Sequence, residues 1–139
     1  MILTNWRRIK SVVLPHYGQV GAGKVVDFLP RGKKTVVIPK TQKREGLATV
    51  TVCGDSLRDV GISNGDSLVC RVNIEKSELK NGKLIVAQLP CLGLVVKFFY
   101  EFDNKIVLRS ANPRYEDLIF AKDLVEIKAI VTQSVKDWE

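Results

Sequence analysis

The chain has 139 residues, 45% hydrophobic content and a formal net charge of +7 at pH 7. A chain of this length and apolar content can bury one real core, so we expect a single domain. The three cysteines, Cys53, Cys70 and Cys91, are an odd number and show no C-x-x-C spacing. They argue against a disulfide framework and a zinc site, and no metal or cofactor is expected.

The positive charge makes nucleic acid the first partner to consider. The basic residues concentrate in three stretches that otherwise look like arm and loop: Arg7, Arg8 and Lys10, then Arg31, Lys33 and Lys34, then Lys40, Lys43 and Arg44. A solvated surface is favoured slightly over a binding patch at these positions. The first stretch interrupts an apolar N-terminus, so neither a signal peptide nor a membrane span is predicted, and a cytoplasmic protein is expected.

Residues 1–34 differ in character from the rest, because glycines and scattered charges separate only short apolar pieces. They predict an N-terminal arm laid over a β domain of residues 35–139. Within the arm, residues 18–24 are nearly free of bulky side chains, so the backbone there could be held extended and approached closely. A flexible linker is the simpler interpretation of this segment on its own, and no G-K-[ST] follows that would indicate a phosphate loop.

From residue 35 onward, short apolar runs rich in β-branched residues alternate with turn signals, and no stretch sustains a helical period. The predicted fold is therefore mainly β. Strands are predicted over residues 35–38, 48–52, 67–72, 83–89, 92–100, 106–109 and 125–131. Turns are predicted at residues 64–66, 90–93, 103–104 and 112–113, and helix is expected only as single turns, for example after Ser56.

The chain has one histidine, His16, which argues against the usual hydrolytic metal sites and most histidine-based catalytic triads. We expect His16 to be an ordinary arm residue. A lysine can replace histidine as a base if burial lowers its pKa from about 10.4 towards neutrality. Lys97 is the one charged residue in the apolar stretch 84–100, with Val95 and Phe99 on the same strand face. The alternative is a lysine that reaches water from an edge strand.

Ser56 is the candidate nucleophile. A predicted strand stops at Gly54, and the turn that must follow could expose a hydroxyl and aim backbone N–H groups at a developing oxyanion. An N-cap serine or an ordinary Asp55-Ser56 turn fits the same residues.

These fragments, together and in this order, resemble the LexA/UmuD family of self-cleaving Ser-Lys peptidases from about Leu14 to the C-terminus. Residues 18–23 resemble the cleavage segment, in which the scissile bond follows a small residue before a glycine. Residues 53–66 resemble the nucleophile block, the most specific part, and residues 81–87 with 95–97 resemble the strand pair that carries the lysine base. Leu57 departs from the usual methionine, and the turn at residues 89–94 is longer than usual.

The resemblance implies a compact, barrel-like β domain with an extended N-terminal arm. It implies that Ser56 acts as nucleophile and Lys97 as base in cutting the chain between Ala22 and Gly23. It also implies a homodimer, for which residues 127–134 are a plausible interface strand, and activation by the RecA filament on single-stranded DNA.

The N-terminal side decides which member of the family is expected. The twenty or so residues before Ala22 are too few for a helix-turn-helix domain, so no DNA-binding domain is expected in this chain. If Met1 is the natural start, the closer analogue is UmuD, which implies a role in error-prone translesion synthesis with a DNA polymerase subunit as partner. The Ala22-Gly23 junction instead favours the C-terminal dimerisation and autocleavage domain of a LexA-like or phage repressor. A hypothesis of another class is a non-catalytic basic β module that binds nucleic acid through residues 31–44.

Overall fold

Strand-forming sequence dominates the chain, and the computed structural model describes it over residues 6–23 and 27–135. Within these residues the strands are β1 (Ile9–Val20), β2 (Gly32–Pro39), β3 (Leu47–Val52), β4 (Ser67–Arg71), β5 (Leu84–Leu89), β6 (Gly93–Phe102), β7 (Lys105–Arg109), β8 (Leu118–Ala121) and β9 (Glu126–Val135). The helical elements described are single 3-10 turns at Trp6–Arg8, Arg58–Val60, Lys76–Glu78 and Lys122–Leu124. The prediction of a mainly β fold is confirmed, and so is the helical turn that follows Ser56.

All of these strands join one sheet in the order β2-β1-β3-β4-β9-β5-β6-β7-β8. Every neighbouring pair is antiparallel except β1 and β3, which are parallel. The sheet curls, since the N–H of Gly21, the residue after β1, donates to the Leu94 carbonyl on β6 at an N···O distance of 2.7 Å. This contact joins strands that four others separate in the sheet order, and it brings the N-terminal segment to the middle of the molecule.

β1 is absent from the predicted strands, and it lies within the segment predicted as an N-terminal arm. Residues 9–20 form a continuous strand that pairs with β2 from Ile9↔Pro39 to His16↔Gly32 and with β3 from His16↔Thr49 onward. Pro15 cannot donate to a strand ladder, and a glycine inside a strand weakens its propensity. Pairing with two partner strands compensates for both, and it buries Leu14 and Val20.

The sheet is buried on both faces around β5 and β6. Val86 and Val96 belong to one apolar cluster, and Ile85 and Phe99 belong to a second cluster on the other face. Strands that are buried on both faces have continuous apolar sequence rather than alternating apolar and polar residues. This is why strands could be predicted here from the sequence. Lys97, the buried charged residue of β6, therefore lies in apolar surroundings.

β9 lies between β4 and β5 and is hydrogen-bonded to both. The predicted interface strand, residues 127–134, is thus an inner strand of the sheet. Its backbone edges are already paired, so a subunit interface in this region would be built from its side chains.

Candidate active site

The turn that carries Ser56 is anchored on both sides. Before it, the Gly54 N–H donates to Asn64 Oδ1 at 2.8 Å, and Gly54 has a φ of 101° that favours glycine. After it, the Leu57 side chain is fully buried in the core. Leucine at this position has about the volume and apolarity of methionine, so the departure from the family pattern keeps the anchor. Ser56 itself is half-buried between these two fixed points.

Lys97 is buried in the middle of the sheet. It lies on β6, opposite Ile85 of β5, and only 8% of its surface is exposed. Because β6 lies between β5 and β7, the alternative of a lysine reaching water from an edge strand is wrong. Burial lowers the pKa of the Lys97 ammonium below its usual value, since an apolar environment disfavours the charged form. Its Nζ donates a hydrogen bond to Ser110 Oγ at 2.5 Å.

A bridging segment, residues 110–115, connects the Lys97 strand to the Ser56 turn. The Ala111 N–H donates to the Ser56 carbonyl at 2.7 Å, and the Asn112 amide donates to the Asp55 carbonyl at 2.9 Å. The Asn112 side chain is nearly fully buried, so its amide depends on these internal partners. The bridging segment therefore sets the spacing between the base strand and the serine turn.

Tyr115, at the end of the bridging segment, closes one side of the site. Its hydroxyl donates to Asp55 Oδ1 at 2.5 Å, and its ring centroid lies 5.3 Å from Lys97 Nζ. The hydrogen bond lowers the pKa of the Asp55 carboxyl and raises that of the Tyr115 phenol. Residues 112–113 were predicted only as a turn. The pairing of β6 with β7 brings three more residues to the site: Ser110, Asn112 and Tyr115. No local sequence pattern reveals this pairing.

The predicted cleavage segment enters the same place. The Cys53 N–H donates to the Val20 carbonyl at 2.8 Å, which ties the end of β1 to the start of the serine turn. Gly21 has a φ of 90°, and a Cβ atom built on it would lie 2.4 Å from the Cys53 carbonyl oxygen. Real Cβ contacts are not that short, so the chain can run this close to the serine turn only with glycine at position 21.

Two adjoining cavities are lined by Ser56, Lys97 and Gly23 of the predicted site, and Ala22 is not among their lining residues. One, of about 130 Å³, is lined by Gly21, Ser56 and Lys97 among others. The second, of about 250 Å³, is lined by Gly21, Gly23 and Lys97 among others. The structure thus brings the predicted nucleophile, the predicted base and the residues on both sides of Ala22 to one place.

His16 lies outside this site. Its ring accepts or donates hydrogen bonds with Thr49 Oγ1 at 2.8 Å and Thr51 Oγ1 at 3.5 Å, so it helps hold β1 against β3. Burial and, secondarily, the positive charge of Lys34 lower its pKa. Lys34 in turn donates a hydrogen bond to Ser67, so the β1–β2 side of the sheet contains a second hydrogen-bonded lysine and serine.

No group of three or more potential metal-ligating side chains occurs within residues 6–23 and 27–135. In the same part of the chain, no helix has the length and apolarity needed to cross a membrane.

Comparison with known proteins decides the family. Residues 15–132 match the Peptidase S24-like family. The chain belongs to this family. The prediction, from the nucleophile block and the lysine strand, of membership in the LexA/UmuD family of self-cleaving peptidases is confirmed.

Among relatives, the chain is 29% identical over 119 residues to the LexA repressor of Acidiphilium cryptum (strain JF-5), a match that covers 85% of this chain and 50% of that protein. It is 30% identical over 120 residues to the LexA repressor of Granulibacter bethesdensis, covering 85% and 48%. It is also 30% identical over 119 residues to that of Paramagnetospirillum magneticum, covering 85% and 49%. The chain thus spans about half the length of the curated relatives it matches.

Proposed function

We propose that this chain is a self-cleaving serine peptidase that cuts its own Ala22–Gly23 bond. The observation that carries the proposal is that Gly21 and Lys97 line both of two adjoining cavities, of which Ser56 lines one and Gly23 the other. A substrate segment, a hydroxyl and a buried amine are therefore side by side in one chain. Membership in the Peptidase S24-like family supports the same activity.

In the proposed reaction, neutral Lys97 takes the proton from Ser56 Oγ as that oxygen attacks the Ala22 carbonyl carbon. Backbone N–H groups of the serine turn stabilise the negative oxygen of the tetrahedral intermediate. The intermediate collapses with rupture of the bond between the Ala22 carbonyl carbon and the Gly23 nitrogen, which receives the proton from Lys97. Water then hydrolyses the ester between Ala22 and Ser56, again with Lys97 as base.

The buried position of Lys97 supports its role as the base. An ammonium in water would be almost entirely protonated at neutral pH, because its pKa is about 10.4. Burial among apolar side chains disfavours the ammonium and raises the fraction of neutral amine. Docking of residues 21–23 adds to that burial, so substrate binding and base activation are linked.

We propose that the protein works as a switch. A segment that must dock before it is cut stays intact while the docked state is rare, and a partner that favours docking raises the cleavage rate by shifting that population. By family resemblance, the partner is the RecA filament on single-stranded DNA, in the response to DNA damage. A homodimer is proposed on the same ground.

Two roles share this chemistry. The names of the three relatives, and the fact that the chain covers 48 to 50% of their lengths, favour the C-terminal autocleavage domain of a LexA-like repressor. The UmuD-like role in translesion synthesis is the other. Binding of the cleaved form to an error-prone polymerase subunit would support the second role, and operator release on cleavage would support the first.

The hypothesis of a basic nucleic-acid-binding module draws on the positively charged stretches around β2. Arg31 donates to the Asp27 carbonyl and Lys34 donates to Ser67, so part of this charge is engaged within the chain. Binding of single-stranded DNA that weakens steeply with salt, in a protein that does not cleave itself, would favour this hypothesis.

The proposal is tested by incubating the purified chain at pH 7 and at about pH 10, where a lysine base is increasingly deprotonated. Intact mass is followed beside a Ser56→Ala control. We expect a product that begins at Gly23, faster formation at the higher pH and no product in the control. An intact chain under both conditions, and again with RecA, single-stranded DNA and nucleotide, would contradict it.

A further inference from the structure

Ser110 occupies a defined place beside the proposed base. The antiparallel pairing of β6 with β7 puts Phe98 opposite Arg109, and continuing that register by one step puts Lys97 opposite Ser110. Directly opposed residues of an antiparallel pair have their Cβ atoms about 5 Å apart and point to the same face. The hydrogen bond of 2.5 Å from Lys97 Nζ to Ser110 Oγ follows from this register.

We propose that Ser110 is a positioning residue that orients the Lys97 amine toward Ser56. This inference rests on the proposed function and adds a third residue to the Ser-Lys pair. A neutral amine has two N–H bonds and one lone pair. With one N–H donated to Ser110 Oγ, the rotation of the amine is restricted and its lone pair is left for the Ser56 hydroxyl proton. A base oriented by a third group is a general requirement of activated nucleophiles.

The need for such a group comes from the length of lysine. Its flexible four-carbon stem ends in a compact amine that can rotate freely, unlike the planar ring of histidine. The surroundings of Lys97 on β5 and β6, Ile85 and Phe99, are apolar and cannot orient an N–H. Ser110 supplies an oxygen acceptor on this face.

Ser110 is also coupled to the nucleophile. The next residue, Ala111, donates its N–H to the Ser56 carbonyl and accepts from the Asp59 N–H, both at 2.7 Å. Ser110 therefore cannot shift without moving the serine turn, and the hydroxyl that holds the base is fixed relative to the hydroxyl that attacks.

The test measures the first-order rate of self-cleavage of the full chain from pH 7 to pH 11 in three variants. Ser110→Ala removes the acceptor, Ser110→Cys keeps the volume with a much weaker acceptor, and Ser110→Thr keeps the hydroxyl. The other titratable side chains on the two cavities, Cys53, Asp55, Tyr115 and Glu116, stay unchanged in all of them. Ser77→Ala, at an exposed position in the Lys76–Glu78 turn, is the matched control.

We expect the rate on the high-pH plateau to fall about 10- to 100-fold in Ser110→Ala and Ser110→Cys, because a misplaced base transfers the proton poorly. Ser110→Thr should stay within about threefold of the parent, and Ser77→Ala should be unchanged. The midpoint of the pH profile should move to lower pH, since a serine oxygen accepts more strongly from an ammonium than from an amine.

That midpoint separates positioning from a structural role. A substitution that only loosened the site would admit water, restore the usual pKa of Lys97 and move the midpoint to higher pH. A plateau within about twofold of the parent in both Ser110→Ala and Ser110→Cys, or a midpoint moved upward, would overturn the inference. Absence of cleavage in the parent chain at every pH, and again with RecA, single-stranded DNA and nucleotide, would overturn the proposed function and this inference with it.

Discussion

Two hydrogen-bonded lysine–serine pairs lie within residues 6–23 and 27–135, Lys97 with Ser110 and Lys34 with Ser67, and their surroundings differ. Lys97 donates to Ser110 from an inner strand and is 8% exposed, whereas Lys34 donates to Ser67 from the edge strand β2 and is half-buried. In the second pair the serine is the fully buried partner, so its hydroxyl is closed to a peptide. A hydrogen bond between a serine and a lysine is therefore not, by itself, an indication of a catalytic site. Lys97 differs from Lys34 in that its buried side chain lines a cavity together with Ser56, which is half-buried, and Gly21.

The largest expected effect tests this difference directly. Ser56→Ala and Lys97→Met should each lower the rate of self-cleavage by roughly 10³-fold or more, because each removes a member of a unit that acts together. Lys34→Met and Ser67→Ala, the matched pair on the other side of the sheet, should leave the rate within about threefold. Rates are measured by intact mass at pH 10. Equal losses of rate in the Ser56 and Lys97 variants and in the Lys34 and Ser67 variants would mean that the substitutions lower folding stability rather than catalysis.

The next effect concerns the chain that enters the site. Gly21→Ala should slow self-cleavage by about 100-fold, because its Cβ would meet the Cys53 carbonyl oxygen at 2.4 Å and prevent close docking. Gly82→Ala is the matched control, since Gly82 has nearly the same φ, 89°, with nothing within 4 Å of its added Cβ. Both variants are assayed with their thermal midpoints. A parental rate in Gly21→Ala would show that the segment docks differently when it is cut.

The pH dependence of the self-cleavage rate tests whether the burial of Lys97, in contrast to Lys34, affects the reaction. Below the pKa of Lys97 the neutral fraction, and with it the cleavage rate, should rise about tenfold per pH unit, and then level off. Because burial lowers this pKa, the midpoint should lie below the usual lysine value. Lys34→Met should not move it. A midpoint at or above the usual lysine value would mean that Lys97 is solvated when the reaction occurs.

The smallest expected effect is on stability and concerns the β1–β2 side of the sheet, where burial and the charge of Lys34 lower the pKa of His16. The unfolded chain then binds a proton at His16 at higher pH than the folded chain does. Stability is therefore full above the unfolded value of about 6.5 and is lost as pH falls through the lowered folded value. Urea unfolding at pH 7.5 and pH 5 should show this loss in the parent chain. The loss should be smaller in His16→Gln, and an equal loss in both would assign it to other groups.

Much of this fold could be predicted from local sequence, and the reasons differ by element. β4 and β5 contain the apolar runs 68–70 and 84–87, because both faces of these strands are buried there, so each could be predicted as a strand from local sequence alone. β1 contains a proline and a glycine and depends on pairing with β2 and β3. β8 has only four residues, of which two are exposed, and it too depends on its partner. Tertiary pairing supplied what these two strands lack.

The candidate site was predictable only in part. Ser56 and Lys97 emerged from a strand end, an isolated charge in an apolar stretch and a family resemblance. The bridging segment did not, because its link to Lys97 depends on the β6–β7 register and its link to Ser56 on backbone hydrogen bonds. Buried polar residues such as Asn112 look like ordinary turn residues until their partners are known.

The pairing of β1 with two strands affects what a cut at Ala22 would release. The proposed scissile bond lies beyond the end of β1, so all the strand hydrogen bonds of β1 to β2 and β3 would remain in place after cleavage. The N-terminal fragment then changes from a tethered strand to a non-covalent ligand of the larger fragment. Its retention depends on concentration and on competitors for the groove between β2 and β3, because the high effective concentration supplied by the tether is gone. Cleavage and fragment release are thus two separable events.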